Sequence, residues 1–432
     1  MTNKCLRGGV LLLTLLLGLC LCGIALAEGK TLTVCPGGEY DTIQKAIDYI
    51  DTQADKTGWT ITVEAGTYGR FTVLAGLDNL TIRGNGVVTV SVLDDSAAPA
   101  EGSGGYPETC GVCIRPADGV TLEGLRFVAK KHISEPWYAA MVSTYTQTGA
   151  GANHLTVRNC SFTGVSSTKG YGLFINNKTN AFTAEGCTFD KLGECISMYG
   201  DGTSVDSINV KNNAFTNCSF AIHGYWGGKA PAGTLAFTGN SVTGSEALRS
   251  KIVLMDQFNT GAMKAKVQNN TLNNAIVGLV NLREAGEAND VLAQNTFSGN
   301  SHFVEAEEPG SIDFYTVYEA PANGYGHWEI ADTGTMSAEN LAYIRAEIAK
   351  ANAAGEKRLS FTTREGELIQ TFTGFKDALY WVSESAPVPS EAPAAVPTPP
   401  QTGDASTPAL WLVLTALSAA AMLTLALRRR RA

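Results

Sequence analysis

Three aromatic residues, Tyr199, Tyr225 and Trp226, fall close in the chain to Asp201, His223 and Asp256, with Asn176 a little earlier. Aromatic faces beside carboxylates and amides suit a carbohydrate: the rings cover the apolar C–H face of a sugar and the polar groups take its hydroxyls. Two carboxylates on one groove are also what general acid–base cleavage of a glycosidic bond needs. The candidate site is therefore Tyr199, Tyr225, Trp226 and Asn176 for binding, with Asp201, His223 and Asp256 for catalysis. No cofactor is implied. Cys110-Gly-Val-Cys113 has the spacing of a redox or zinc half-site, but no second pair or histidine partner accompanies it, so no metal site is supported.

What positions these residues is a repeated phrase. Leu155-Thr-Val-Arg-Asn-Cys-Ser-Phe162, Phe182-Thr-Ala-Glu-Gly-Cys-Thr-Phe189 and Ile208-Asn-Val-Lys-Asn-Asn-Ala-Phe215 share one pattern, with weaker copies at 235–242, 265–272 and 292–297. The copies recur at steps of about 25 to 30 residues, the range of solenoid repeats. Each alternates apolar and polar residues, meets Asn or Gly, and resumes apolar. That pattern implies a half-buried strand, a tight turn through a left-handed residue, and a second strand. A unit this short cannot bury its own apolar face, so copies must stack about 4.8 Å apart into parallel sheets around a continuous core.

Stacking places Phe162, Phe189 and Phe215 over one another. Cys160 and Cys187 then lie inward as small apolar residues, and Asn159, Asn213, Asn240, Asn270 and Asn295 recur at a turn where side-chain amides can ladder. On the first sheet Arg158, Glu185 and Lys211 point outward as a surface charge ladder. On the second, an inward column of Leu173, Ile196, Ile222, Val253 and Val277 leaves the candidate site facing out.

Gly38-Glu-Tyr-Asp-Thr-Ile-Gln-Lys-Ala-Ile-Asp48, followed by Ile61-Thr-Val-Glu-Ala-Gly-Thr-Tyr68, resembles the N-terminal cap of pectin-lyase-like proteins. The resemblance implies an all-β fold, a right-handed parallel β-helix over residues 28–310, with an amphipathic helix plugging the first coil through Ile43, Ala46, Ile47 and Ile50. That fold hosts lyases, hydrolases, epimerases, esterases and adhesins, so it does not by itself choose an activity. Of the polygalacturonase motifs only Arg249-Ser-Lys251 has a counterpart. Asp201, Asp206 and Asp256 with Arg249 could imitate a calcium pectate lyase, without a supporting local motif. Residues 94–109 interrupt the repeat as a loop. Residues 311–385 read as a small α+β capping module, with a helix over Ser337–Ala354, strand-like runs over Leu359–Phe372 and a helical piece ending at Trp381.

The chain ends carry addresses. Lys4 and Arg7, an apolar run and Ala25-Leu26-Ala27 have the form of a signal peptide over 1–27. Residues 386–400 are a Pro/Ala-rich stalk. Over 399–431, Pro400-Gln401-Thr402-Gly403, an apolar span at 408–427 and Arg428 to Arg431 resemble a cell-wall sorting signal. The resemblance implies cleavage between Thr402 and Gly403, with sortase and peptidoglycan as partners and a passing residence in the membrane. Pro399 stands where such signals usually carry Leu, which leaves the sortase class open. Without those segments the formal charge falls from −9 to about −14, which argues against nucleic acid as a partner. Cys35, Cys110, Cys113, Cys160, Cys187, Cys195 and Cys218 then remain, an odd number, with a local Cys110–Cys113 disulfide or two plain thiols both open. Together these features imply a secreted, wall-anchored β-helix that binds glycans or host surfaces as an adhesin; the alternative is a tethered polysaccharide lyase or glycosidase.

Overall fold

Alternating strands broken by left-handed residues build the expected solenoid. The computed structural model describes residues 30–92, 110–130, 140–144, 151–176, 179, 181–201, 207–227, 234–256, 264–282, 290–307, 312–320, 324–334, 336–364 and 378–386. The signal peptide, the 94–109 loop, the stalk beyond 386, Thr402, Gly403 and the 408–427 span lie outside them. Among the described residues no helix is long and apolar enough to cross a membrane. The chain winds as a right-handed parallel β-helix of about eight turns.

A typical coil runs Ser207–Lys211, Ala214–Thr216 and Phe220–Gly227. The first two strands stack into one large sheet and the third into another, each pairing in parallel with its counterparts in the coils before and after. Between the first two strands the chain turns through Asn159, Gly186, Asn212, Gly239 and Asn269, at φ of 53°, 63°, 56°, 66° and 57°. Only Asn and Gly sit there because a left-handed backbone is costly for most L-residues. The last coil departs from the repeat: Val291–Gln294, read as part of a weak copy, is a short helix capped by Asp290.

The next residue in each turn is buried, and its backbone groups must be satisfied without water. Asn213, Asn240, Asn270 and Asn295 do this. The Asn240 amide oxygen accepts from Asn213 N at 2.9 Å, and its Nδ2 donates to Val210 O at 2.9 Å; Asn213 and Asn270 repeat the pattern. Asn159 is not in this ladder. It occupies the left-handed position one residue earlier, and Cys160 and Cys187 hold the ladder positions, their thiols aimed at Leu122 O and Val157 O. Cys160, Cys187, Cys195 and Cys218 are free and buried, and burial pushes the Cys160 and Cys195 thiols up. Cys110 and Cys113 are disulfide-bonded.

Phe162, Phe189 and Phe215 stack as expected, centroids 4.8 and 5.0 Å apart, with Phe127 added on one side at 4.8 Å. Helix α1, Ile43–Asp51, is capped by Thr42 and buries Ile43, Ala46, Ile47 and Ile50. The surface ladder is present: Arg158 reaches Glu123 at 3.1 Å and Lys211 reaches Glu185 at 3.2 Å.

Residues beyond 311 extend the second sheet and fold back over it. Ile312–Glu319 joins His302–Glu307 antiparallel, and Arg358–Arg364 follows. Ser337 caps the helix Ala338–Ala354, which ends at the left-handed Gly355. The helical piece expected up to Trp381 falls largely among residues 365–377, outside the described residues, and Ala378 is helical. From Leu379 the chain is a strand, Leu379–Glu384, that pairs with Tyr325–Ile330, and Trp381 faces Trp328 edge-on at 5.3 Å. Trp328, Ile344, Ile348, Leu359 and Leu379 cover Val253, Met255, Ile276, Val280, Val304 and Ala306 on the outer face of the second sheet. At this junction Arg249 donates to His302 Nε2 at 2.6 Å, and His302 Nδ1 lies 3.6 Å from Glu319 Oε2, with both side chains fully buried.

Two outcomes follow. Asn240→Ala leaves Asn213 N–H and Val210 C=O without their partner and should cost about 2–5 kcal/mol in urea unfolding, whereas Thr243→Ala on the exposed face should stay within about 0.5 kcal/mol. Burial first, and the Arg249 charge as well, hold His302 below its ordinary imidazole value. A depressed histidine contributes stability that is complete above the unfolded value of about 6.5 and is lost as pH falls toward the folded one. His327, raised by Glu329 and Glu384, works in the opposite direction. The thermal midpoint should therefore fall between pH 6.5 and 5 less steeply in His302→Gln than in wild type; equal slopes would remove His302 as the cause.

Candidate functional site: the outer face of the second sheet

Parallel stacking in register turns outward residues into columns. One runs Tyr171, Glu194, Phe220, Lys251 and the next Phe174, Ser197, His223, Val253. Phe220 and Ile222 flank a register shift: Phe220 pairs with Lys251 and Ile222 with Ile252, so the intervening Ala221 has no counterpart. That one-residue bulge corrects the inward column. Its members are Leu173, Ile196, Ile222, Ile252 and Val277, and Val253 faces outward under the C-terminal module.

The shift moves Asp256. It pairs with Trp226, which pairs with Gly200, and it is 2% exposed, on the face of Ile252 and Leu254. His223 lies on the other face, so the structure does not bring His223 and Asp256 together. Tyr199 and Tyr225 share one register position with Asn176, two residues beyond His223, and Asp201 pairs with Gly227. The side chains of Asn176, Tyr199, Asp201, Tyr225 and Trp226 lie outside the described set, so only their backbone positions are placed.

What His223 meets is a group with less sequence signal. Its Nδ1 lies 3.2 Å from Glu194 Oε1, both side chains half-buried at 16% and 19% exposure. Its ring stacks on Phe220 at 4.5 Å and 19°, and Lys251 Nζ sits 5.1 Å from the Phe220 centroid. Ser197 is its register partner on the neighbouring strand. Tyr171 and Phe174 form an edge-on pair at 6.2 Å one coil earlier. Strict alternation would put Glu194 with Ile196, and Phe220 with Ile222, inside. Instead Cys195 and Ile196 are both fully buried, as are Ala221 and Ile222, so the chain bends at this corner and turns Glu194 and Phe220 outward. One signal was available for the covered part of the face. Lys251-Ile-Val-Leu-Met255 and Ala275-Ile-Val-Gly-Leu-Val280 are continuous apolar runs, the mark of strands buried on both sides.

The patch thus offers flat aromatic surface, a carboxylate–imidazole pair and a cation held over a ring, the elements of a site for a polar molecule with an apolar face. No protein-family model and no curated protein matches the sequence. Among solved structures the chain is similar to a pectin methylesterase from Aspergillus niger, at 16% identity over 65% of this chain and 86% of that one, with a TM-score of 0.38. It is also similar to a surface adhesin of Streptococcus pneumoniae (12% identity, 64% and 92% covered, TM-score 0.31) and to a pectin methylesterase from Erwinia chrysanthemi (10%, 63% and 93%, 0.31). At these scores the likeness says nothing of substrate or activity.

Proposed function

We propose that this chain is a secreted, surface-anchored β-helix protein that binds glycan along the outer face of its second sheet, in the manner of an adhesin. The observation that carries the reading is the partly exposed patch of Tyr171, Glu194, Phe220 and His223, continued by the Tyr199 and Tyr225 positions on the same strands. Stacked coils repeat this surface along the axis, which suits a chain of sugars better than a compact ligand. The anchor belongs to the proposal too: cleavage between Thr402 and Gly403 by sortase, with transfer to peptidoglycan, rests on the 399–431 sequence.

A lyase or glycosidase built on Asp201 and Asp256 is the less favoured reading, because Asp256 is buried on the face of Ile252 and Leu254, away from His223. A glycan array with neutral and uronate polysaccharides tests the choice, alongside assays for reducing ends and unsaturated products. Binding without chain cleavage is expected. Phe220→Ala, Tyr171→Ala and Tyr225→Ala should each weaken it about tenfold, the worth of one aromatic contact of about 1.4 kcal/mol, whereas Trp226, at the register position of Asp256, should matter less. Chain cleavage lost in Asp256→Asn would overturn the adhesin reading.

A further inference from the structure

We infer that the same patch carries an acyl-transfer centre, with Ser197 as nucleophile, His223 as its base and Glu194 as the positioning residue, acting on O-acyl esters; the choice of acylated sugars as substrate rests on the glycan reading above. Ser197 and His223 are register partners on adjacent parallel strands. In-register strands lie about 4.8 Å apart with their side chains on the same side, so the Ser197 hydroxyl and the His223 imidazole are neighbours; no hydrogen bond joins them in the resting structure, and one must form when substrate binds. Ser197 is buried, at 7% exposure, on the outward side of its strand.

Glu194 stands three residues before Ser197 on the same strand, its carboxylate 3.2 Å from His223 Nδ1. A neutral ring that gives its Nδ1 proton to that carboxylate keeps its basic lone pair on Nε2. Stacking on Phe220 at 4.5 Å holds the imidazole plane, and the ammonium of Lys251, 5.1 Å from the same ring, supplies the positive charge of the patch. A serine, a base and a carboxylate that orients the base are recognised by roles and geometry rather than by order in the chain.

The reaction balances without a cofactor. Ser197 Oγ bonds to the ester carbonyl carbon as His223 Nε2 takes its proton. The carbon–oxygen bond to the sugar then breaks, and the sugar oxygen receives that proton. Water bonds to the acyl carbon as His223 Nε2 takes its proton, the acyl–Oγ bond breaks, His223 returns the proton to Ser197 Oγ, and a free carboxylic acid leaves. Among the described residues of this face, Lys251, its ammonium over the Phe220 ring, is the cation assigned to the negative charge building on the carbonyl oxygen.

The full chain is treated with a fluorophosphonate probe and digested for mass spectrometry, and in parallel is assayed on p-nitrophenyl acetate and an O-acetylated oligosaccharide. Label on the Ser197 peptide is expected, with acetate release that falls about 10²–10⁴-fold in Ser197→Ala and His223→Ala. Glu194→Gln should shift the pH profile and lower kcat more than KM, and Glu194→Asp should restore part of the rate. Thr243→Ala on the distant face is the folding control. An unlabelled Ser197 in protein that melts cooperatively, or acetate release unchanged in Ser197→Ala, overturns the inference. Label on Ser197 and turnover of p-nitrophenyl acetate with no glycan bound on the array would keep the acyl-transfer centre and sink the glycan reading instead.

Discussion

A backbone that turns sharply while fully buried must find partners for its polar groups, and the rest of this structure depends on how that is met. Asn213, Asn240, Asn270 and Asn295 each tie one coil's turn to the next through an accepting oxygen and a donating amide. The ladder fixes the register between coils, because a slip by one residue would leave every amide facing the wrong group. With register fixed, Phe127, Phe162, Phe189 and Phe215 must stack, and outward side chains must line up in columns. Cys160 and Cys187 continue the ladder more weakly, a thiol being a poor donor.

The outer face of the second sheet changes character along the axis. Tyr171, Glu194, Phe220 and His223 are partly exposed on the middle coils, whereas Val253, Met255, Ile276 and Val304 lie under the C-terminal module. The boundary falls where Ala221 adds one residue to its strand, and there Arg249, His302 and Glu319 meet in the interior. A buried ionic group of this kind gives little net stability but sets geometry, since breaking it strands a charge. The module therefore covers one end of the face and leaves Ser197, His223 and Glu194 beside the covered part.

Much of this was legible in the residues themselves. Period-two alternation broken by Asn or Gly determined the coils, the aromatic stack and the faces of the first sheet, because those features depend only on strand geometry and local backbone preference. The capping helix was legible from the helical spacing of Ile43, Ala46, Ile47 and Ile50. The helix Ala338–Ala354 was equally plain from the spacing of Leu341, Ile344 and Ile348. Tertiary structure alone decided the rest. Whether Ile252 or Val253 faces the core depends on a bulge between two strands about thirty residues apart. Whether Glu194 and Phe220 point outward depends on a bend that local alternation cannot express. So the chain's own pattern determined that a β-helix forms, and long-range register determined that His223 meets Glu194 and pairs beside Ser197 rather than Asp256, since a face is a property of paired strands and one extra residue reverses it.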